Sequence, residues 1–327
     1  MKKLIAVLVL TTLFISCGGK DTFVQQQAIG KVNRVLVVTK SSSWLGDIGK
    51  EVRAFTSELM VGLPQDEPQL TISQVAPEGF SSIMKVSRNI LIIEENTTEN
   101  FTIKKNKYAA PQMVVYISAK DKKGIIAQLK KHGKEIVKHF KDSDLLATKN
   151  RFAQKKLDLS ELKTLKNLNI SFTIPENYRT VEDTLGFLWL RQHLLSGIAR
   201  NAGSNNILIY SLPLTDESKV AENIVAMRDT IGKKYIPGSA KGMYMITEEA
   251  YTPFTIDAKV AGNKAFETRG KWEVKNDFMA GPFINYTIID KKNNRLLVFE
   301  GFTYAPSVNK REFIFELEAI AKSMVIN

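Results

Sequence analysis

The spacing of short apolar runs constrains the fold of this 327-residue chain more than any other sequence feature. Runs typical of β-strands lie at 33–39, 69–75, 89–93, 112–118, 170–174, 187–192, 207–212, 243–247, 254–260, 266–274, 284–289 and 296–304. Apolar residues recur at helical spacing over 43–60, 121–140, 143–156, 218–231 and 309–324. Many strands in hairpin order with few helices predict an α+β protein with mainly antiparallel sheets flanked by helices.

The same pattern divides the chain into segments. A signal peptide at 1–16 and a polar, glutamine-rich tether at 17–30 precede an amino-terminal α/β subdomain at 31–141. A basic helical connector at 142–167 leads to a carboxy-terminal, sandwich-like α+β subdomain at 168–327. A chain of this length with 44% hydrophobic residues can bury one large core or two ordinary ones.

The amino terminus has the features of a lipoprotein signal peptide. Lys2 and Lys3 are followed by an apolar run from Leu4 to Ile15, and Ser16 directly precedes Cys17. A signal-peptide core takes about 7–15 apolar residues, whereas a membrane-spanning helix needs roughly 20. The segment resembles the lipobox, although a phenylalanine stands where leucine is usual. We therefore predict cleavage before Cys17 and lipidation of its thiol, with an ordinary signal peptide as the alternative.

The lipid on Cys17 would decide where the protein works. Two or three acyl chains, a palmitate among them, hold a protein stably on a membrane, whereas a single chain is marginal. We expect a cell-envelope location, on the periplasmic face or the cell surface of the outer membrane. Because Cys17 is the only cysteine, disulfides, cysteine nucleophiles and thiolate metal sites are excluded from the folded part.

The positive charge of the chain is concentrated in one stretch. Residues 120–166 hold 13 lysines and Arg151 against six acidic residues, so this stretch alone carries a charge of +8. An exported protein rarely meets nucleic acid, so anionic lipid or an acidic envelope polymer is the expected partner. An envelope protein partner is a further candidate. The alternative is that these lysines form the solvated face of a helix.

Motifs of the common catalytic classes are missing from the sequence. There is no nucleophile elbow, P-loop, dinucleotide-binding loop or zinc-protease helix motif. His132 and His139 are too far apart on one predicted helix to share a metal without other ligands, and we expect His132, His139 and His193 to face solvent. We predict no cofactor and no metal.

Two acidic pairs are the remaining candidates for catalysis. Glu94–Glu95 and Glu248–Glu249 each follow an apolar strand, and carboxylates at strand ends can act as acid and base if one pKa is raised. Adjacent side chains in a loop point apart, however, and such pairs are common on surfaces. We assign no catalytic residue.

Four residues are candidates for ligand binding. The segment VGLPQDEP, residues 61–68, contains two prolines that fix a rigid turn and display Gln65 and Glu67. A merely stiff connection between a helix and a strand explains the segment equally well. Arg88, before the strand NILII, and Arg269, in the segment TRGKW, are candidates for binding an anion.

Thr184 is a candidate for O-glycosylation. Asp183-Thr184-Leu185 matches the short D-[ST]-aliphatic pattern that is glycosylated in exported proteins of the Bacteroidota. Asp229-Thr230-Ile231 matches the same pattern, but it lies inside a predicted helix, which disfavours modification.

Several of these segments together resemble a known but uncharacterised family. NRVLVV, VGLPQDEP, SRNILII and the closing hairpin with its helix are similar to a Bacteroidota lipoprotein family classified as a domain of unknown function. That resemblance implies an envelope location and no assigned activity. Residues 168–324, from ISFTIPENY onward, are similar to the α/β sandwich of PsbP and Mog-type proteins, which implies an assembly or binding module.

Two functions are compatible with the sequence. The first is a non-catalytic binding or assembly module tethered at Cys17, which the missing motifs and the basic stretch favour. The second is an envelope hydrolase or transferase that uses carboxylates such as Glu94 or Glu248, and it requires a pocket in which two acids converge.

Overall fold

The computed structural model describes residues 25–194 and 203–327, and its first half is built on a five-stranded sheet. The strands are β1 (Arg34–Val38), β2 (Thr71–Val75), β3 (Asn89–Glu95), β4 (Asn100–Lys105) and β5 (Met113–Ala119). Their order is β2-β1-β3-β5-β4, and every neighbouring pair is parallel except β4 with β5. Continuous apolar runs such as NILII are typical of parallel strands that are buried on both faces.

The two longest helices of the first half cover one face of this first sheet. The helices of the first half are α1 (Ser41–Leu45), α2 (Asp47–Thr56), α3 (Ser82–Lys85) and α4 (Lys122–Gln154). Val52 and Phe55 of α2 and Ile136 and Phe140 of α4 pack in one core with Leu91 and other residues of the sheet. The helix predicted over 43–60 is divided by Gly46, which caps the end of α1 in an extended conformation.

The 33-residue helix α4 joins the two halves. It begins at Asp121, whose side chain accepts a hydrogen bond from the Gly124 N–H at 2.8 Å and so caps the helix. Its first part packs on the first sheet, while Leu145 and Phe152 belong to the core of the second half. The sequence predicted two helices with a boundary near residue 142, whereas α4 runs through that boundary without a break.

The second half is an antiparallel sheet of eight strands. The elements are α5 (Lys163–Leu168), β6 (Ile170–Ser171), β7 (Arg179–Asp183), β8 (Phe187–Leu194), β9 (Gly203–Pro213), α6 (Val220–Tyr235), β10 (Met245–Thr247), β11 (Phe254–Val260), β12 (Asn263–Val274), β13 (Ala280–Asp290), β14 (Arg295–Tyr304), α7 (Arg311–Ala321) and β15 (Val325–Ile326). The order is β10-β12-β13-β14-β9-β8-β7, β11 pairs with β12, and β6 and β15 form a separate pair.

Helices flank this second sheet on both faces. Phe315 and Leu317 of α7 pack with Phe299 on one face, and Ile231 of α6 packs with Trp272 on the other. The predicted α+β class, with two α/β parts joined by a helical segment, is confirmed. No helix within the described ranges is long and apolar enough to cross a membrane.

Candidate functional site

An open cavity of about 520 Å³ lies between the two halves and is the candidate functional site. The lining comes from α2 and the segment after it, from α4, and from β11, β12 and α7 of the second half. Its volume is within the roughly 300–1,000 Å³ of small-molecule sites, which are commonly found where domains meet.

The rim of the cavity is apolar and exposed. Leu59 and Val61 from the first half face Phe254 and Ile256 from β11, and each of the four side chains is between 42% and 52% exposed. Apolar side chains gathered at one opening, rather than scattered over the surface, are typical of a place where a ligand or partner binds.

A network of buried charges forms the floor of the cavity. Arg269 Nε donates to Glu267 Oε1 at 2.6 Å, and Arg269 Nη2 donates to Glu318 Oε2 at 2.7 Å. Lys322 Nζ donates to the other oxygen of Glu318 at 2.5 Å, and the Tyr286 hydroxyl donates to Glu267 Oε2 at 2.7 Å. Arg269 and Glu267 lie two residues apart on β12, so their side chains share one face of the sheet.

The charges in this network shift one another's pKa values. Burial opposes ionisation of Glu318, but the charges of Arg269 and Lys322 outweigh it and lower the pKa of Glu318 to about 2. Burial likewise disfavours the charge on Arg269, but Glu318 and Glu267 outweigh it and raise the pKa of the guanidinium. Burial lowers the pKa of Lys141, which also lines the cavity, and Glu318 opposes that shift in part. Glu318 is therefore ionised at neutral pH.

The floor has more positive than negative groups. It contains three cationic side chains, those of Arg269, Lys141 and Lys322, and two carboxylates, those of Glu267 and Glu318. Arg269 is only 6% exposed, and its Nη1 has no hydrogen-bond partner among the residues that the structure describes. Lys141 Nζ makes one long bond, of 3.4 Å, to a glutamine side chain. Because Nη1 is enclosed as well as unpartnered, the weakly paired cation that lines the open cavity and could pair with a further carboxylate or phosphate is Lys141.

Of the predicted ligand-binding residues, Arg269 lines this cavity. Gln65 and Glu67 lie outside it and make hydrogen bonds to other parts of the protein. Glu67 is buried, and its carboxylate accepts hydrogen bonds from the backbone N–H groups of Lys310 at 2.6 Å and Arg311 at 3.2 Å. Gln65 Oε1 accepts a bond from Lys310 Nζ at 2.8 Å. The segment VGLPQDEP thus connects the two halves of the protein.

Arg88 and Thr184 lie away from the cavity. Arg88 Nε is 3.9 Å from Asp144 Oδ1, beneath the amino-terminal end of the first sheet. Thr184 is exposed, and its Oγ1 accepts a bond from the Phe187 N–H at 3.0 Å, as in a short side-chain turn. Cys17 lies outside the described residues. O-glycosylation of Thr184 stays a prediction.

The acidic pairs also lie apart from the cavity. Glu94 and Glu95 are exposed at the end of β3, and Glu248 is half-buried after β10. Neither Glu94 nor Glu248 lines the cavity. Four acids line the cavity, Glu58, Asp142, Glu267 and Glu318, and of these Glu267 and Glu318 are paired with Arg269.

The histidines have ordinary structural partners. His132 is not fully solvated as expected, because its ring stacks on Phe101 with centroids 3.8 Å apart, and its Nδ1 lies 3.0 Å from Glu135. His193 is exposed. Over residues 25–194 and 203–327, no group of three or more His, Cys, Asp or Glu side chains is arranged to hold a metal ion.

Three residues of the site, Glu267, Glu318 and Lys141, were not among the candidates predicted from the sequence. A signal for two of them exists, because Glu267 shares the inward face of β12 with Arg269, and Glu318 lies in the apolar helix REFIFELEAIA. A charged residue at a position that the hydrophobic pattern assigns to the core needs a partner. Lys141 has no such signal, because it is one of many lysines on α4.

Comparison with known proteins identifies domains of unknown function. A family model described as a domain of unknown function (DUF8532) matches residues 28–153, and another with the same description (DUF4837) matches residues 157–323. No curated protein matches the chain. The expected resemblance to a domain of unknown function is confirmed.

Solved structures show a distant similarity over about half of the chain. LpqN, described as involved in cell envelope biogenesis of Mycobacterium tuberculosis, is 12% identical, with 48% of this chain and 83% of that chain covered and a TM-score of 0.32. The Ran-binding protein Mog1p of Saccharomyces cerevisiae is 11% identical, with 48% and 90% covered and a TM-score of 0.33. The DUF4837 match spans more than half of the sequence, and the chain therefore belongs to the DUF4837 family.

Proposed function

We propose that this protein is a lipid-anchored envelope protein and a non-catalytic binding module, whose cavity takes an anionic amphiphile. Such a ligand has one carboxylate or phosphate group and an apolar chain. The cavity offers a complementary surface for each part, with charged groups at the floor and exposed apolar side chains at the rim.

The observation that carries this proposal is the excess positive charge of the cavity floor, where Lys141 has only one long hydrogen bond. Burial of a charged group with a free N–H costs free energy unless another group pairs with it. A ligand anion placed against Lys141 would give its Nζ a close acceptor and balance the excess positive charge of the floor. The apolar chain of the ligand would then extend out of the cavity along Leu59 and Phe254, and their exposed apolar surface would be removed from water.

The anchor follows from the amino-terminal sequence. Cys17, preceded by a small residue and an apolar run of signal-peptide length, supports lipidation and an outer-membrane location facing the periplasm or the cell surface. A module held at a membrane has ready access to amphiphiles. Fractionation with a high-salt wash, which screens charge contacts with lipid, tests the anchor: Cys17→Ala should move the protein from the membrane to the soluble fraction, and retention on the membrane through the wash would contradict lipidation.

A carboxylate-dependent hydrolase is the weaker candidate. Glu94 and Glu248, the acids that the sequence offers for it, do not line the cavity. Glu318 does, but a carboxyl with a pKa of about 2 is a poor general acid or base at neutral pH. The fixed ion pairs of Glu267 and Glu318 with Arg269 favour binding over proton transfer.

Ligand binding can be tested with a fluorescent long-chain fatty acid and its methyl ester, titrated into the Cys17→Ala protein. We expect the free acid to bind and the ester to bind at least tenfold more weakly, because the ester cannot pair with the floor. Lys141→Gln should weaken binding of the acid by about tenfold to a hundredfold, in line with the 1.5–3 kcal/mol of a hydrogen bond to a charged group. Lys131→Gln is the matched control, since Lys131 is exposed on α4 and does not line the cavity.

Equal binding of the acid and its methyl ester would contradict an anion site on the cavity floor. Equal losses in Lys141→Gln and Lys131→Gln would point to the general charge of α4 rather than to the cavity.

A further inference from the structure

The first sheet has a second face that no long helix covers among the described residues. We call this the open face: it carries Leu36, Val38, Ile90, Ile92, Val114 and Tyr116, on the side opposite α2 and α4. The short segment around α3 and the rings of Phe80 and Tyr108 cover it in part. Ile92 and Tyr116 therefore remain half-buried, although they occupy central strands.

Lysines and aromatic rings meet at one end of the open face. Lys107 Nζ is 4.9 Å from the ring centroid of Tyr108 and 4.7 Å from that of Tyr116, and it donates a hydrogen bond to the Tyr116 hydroxyl. Lys104 Nζ lies 5.7 Å from the Tyr116 ring, and Lys85 Nζ lies 5.7 Å from the Phe80 ring. Cations held over aromatic faces combine positive charge with apolar surface.

Two exposed apolar side chains lie on segments next to this cluster, and an exposed acid lies at the other end of the open face. Ile83 is 76% exposed and Ile29 is 54% exposed, and the Ile29 N–H donates to the Val86 carbonyl beside α3. Glu94, an exposed acid of the open face, is at the carboxyl end of β3, whereas Lys85 precedes its amino end. The open face is thus positively charged at the end where the apolar side chains protrude.

The chain enters the fold at this same end. The Ala28 N–H donates to the Ala110 carbonyl at 2.9 Å, and the Ala110 N–H donates to the Gln26 carbonyl at 2.8 Å, beside the loop that carries Lys107 and Tyr108. Gln25 lies eight positions after Cys17 in the chain. A fully extended chain of that length spans at most about 29 Å. An anchor at Cys17 would therefore keep this end of the protein close to the bilayer.

We infer that the lysine-rich end of the open face docks on the anionic lipid headgroups of the membrane that holds Cys17. This inference rests on the proposed lipid anchor. Lys85, Lys104 and Lys107 would pair with lipid phosphates, the tyrosine rings would lie at headgroup level, and Ile29 and Ile83 would enter the interface. The lysines on the outer surface of α4 lie on the other side of the first sheet, so a flat membrane cannot contact both sets at once.

Vesicle binding distinguishes the two surfaces. The Cys17→Ala protein would be floated with phosphatidylcholine vesicles, with or without phosphatidylglycerol, and we expect salt-sensitive binding to the anionic vesicles alone. The triple variant Lys85→Gln/Lys104→Gln/Lys107→Gln should bind on the order of a hundredfold more weakly, because each lysine contributes about fivefold. The matched triple variant of exposed α4 residues, Lys123→Gln/Lys130→Gln/Lys131→Gln, should bind as the parent does.

A separate single substitution tests the same surface in case the triple variant does not fold. Ile83→Glu changes one exposed side chain and should also weaken vesicle binding several-fold. The docking inference is overturned if neither change weakens binding, or if the α4 variant is the one that loses it. Fatty-acid titration of the same proteins separates this result from the proposed function, because the open-face variants should keep the cavity intact.

Discussion

At the scale of single residues, Asp144 shows how the first half depends on a buried carboxyl. It lies on α4 with no exposed surface, and its Oδ2 accepts bonds from the Asn33 N–H at 2.7 Å and from Asn89 Nδ2 at 3.0 Å. Its Oδ1 has Arg88 at 3.9 Å and no hydrogen bond within the described part of the chain. Burial raises the pKa of Asp144 to about 6, although the Asn33 N–H and Arg88 oppose the shift.

This raised pKa predicts a pH dependence of stability. Between the ordinary value of 3.8 and the folded value of about 6, the folded state binds more protons than the unfolded state. The free energy of unfolding therefore falls as pH rises through this window, by up to about 3 kcal/mol. In urea denaturation between pH 4 and 7, Asp144→Asn should lack this fall in the free energy of unfolding. Asp142→Asn, an exposed neighbour on α4, should keep the parental slope, and a parental slope in Asp144→Asn would contradict the prediction.

At the scale of elements, the packing of α4 on α2 depends on a glycine inside a helix. Gly133 is buried, and a Cβ added there would lie 2.8 Å from the ring of Phe55. Glycine to alanine in an open helix stabilises by about 1 kcal/mol. Here we expect Gly133→Ala to lower the free energy of unfolding by about 1–3 kcal/mol, because Phe55 must shift.

Thermal unfolding checks this prediction on α4. Asn150→Ala is the control, since Asn150 is exposed on the same helix and alanine should raise stability there by a few tenths of a kcal/mol. If Gly133→Ala also raised the melting temperature, the contact between the two helices would be looser than the structure indicates.

The elements also show what the sequence could predict and what it could not. Alternation and apolar runs located most strands, because those strands are buried on at least one face. The edge strands β4 and β7 were missed, since residues such as Thr180 and Lys104 are exposed and carry no periodic signal. The residues Asp142-Ser143-Asp144 suggest a helix end, but Asp144 bonds to the first half inside a continuous helix.

The candidate site was harder to predict, because its residues come from distant parts of the chain. Arg269 stood out as a cation in an apolar strand, yet its partner Glu318 is 49 residues away on α7. Lys141 comes from α4, and the apolar rim combines the segment after α2 with β11. Sequence pattern reports which residues are buried, but only the packing of the two halves brings these together.

At the scale of the whole molecule, the segment VGLPQDEP holds the halves together. The closing helix α7 has no capping side chain of its own, and Glu67, more than 240 residues earlier, accepts bonds from its first backbone N–H groups. Arg311 Nη1 in turn donates to the Pro68 carbonyl at 2.7 Å. Gly62 of the same segment has φ of +82°, and a Cβ there would lie 2.9 Å from the backbone of Gly270. The segment is rigid because it is packed between the two halves.

The cap that Glu67 provides predicts a stability effect across the whole protein. Glu67→Ala leaves the buried N–H groups of Lys310 and Arg311 without acceptors, so the free energy of unfolding should fall by about 2 kcal/mol. Hydrogen exchange of those two amides should accelerate, since they report opening of the contact between the halves. Glu67→Gln keeps one acceptor oxygen and should lose less.

Asp66→Ala is the matched control for this cap, because Asp66 is the exposed neighbour of Glu67 and should change stability by less than about 0.5 kcal/mol. The effect of Glu67→Ala should reach beyond α7, because Arg269 and Glu318 meet across β12 and α7 at the cavity floor. We therefore expect Glu67→Ala to weaken fatty-acid binding as well as stability. Unchanged exchange at Lys310 and Arg311, together with parental fatty-acid affinity, would mean that the halves are held by their apolar contacts alone.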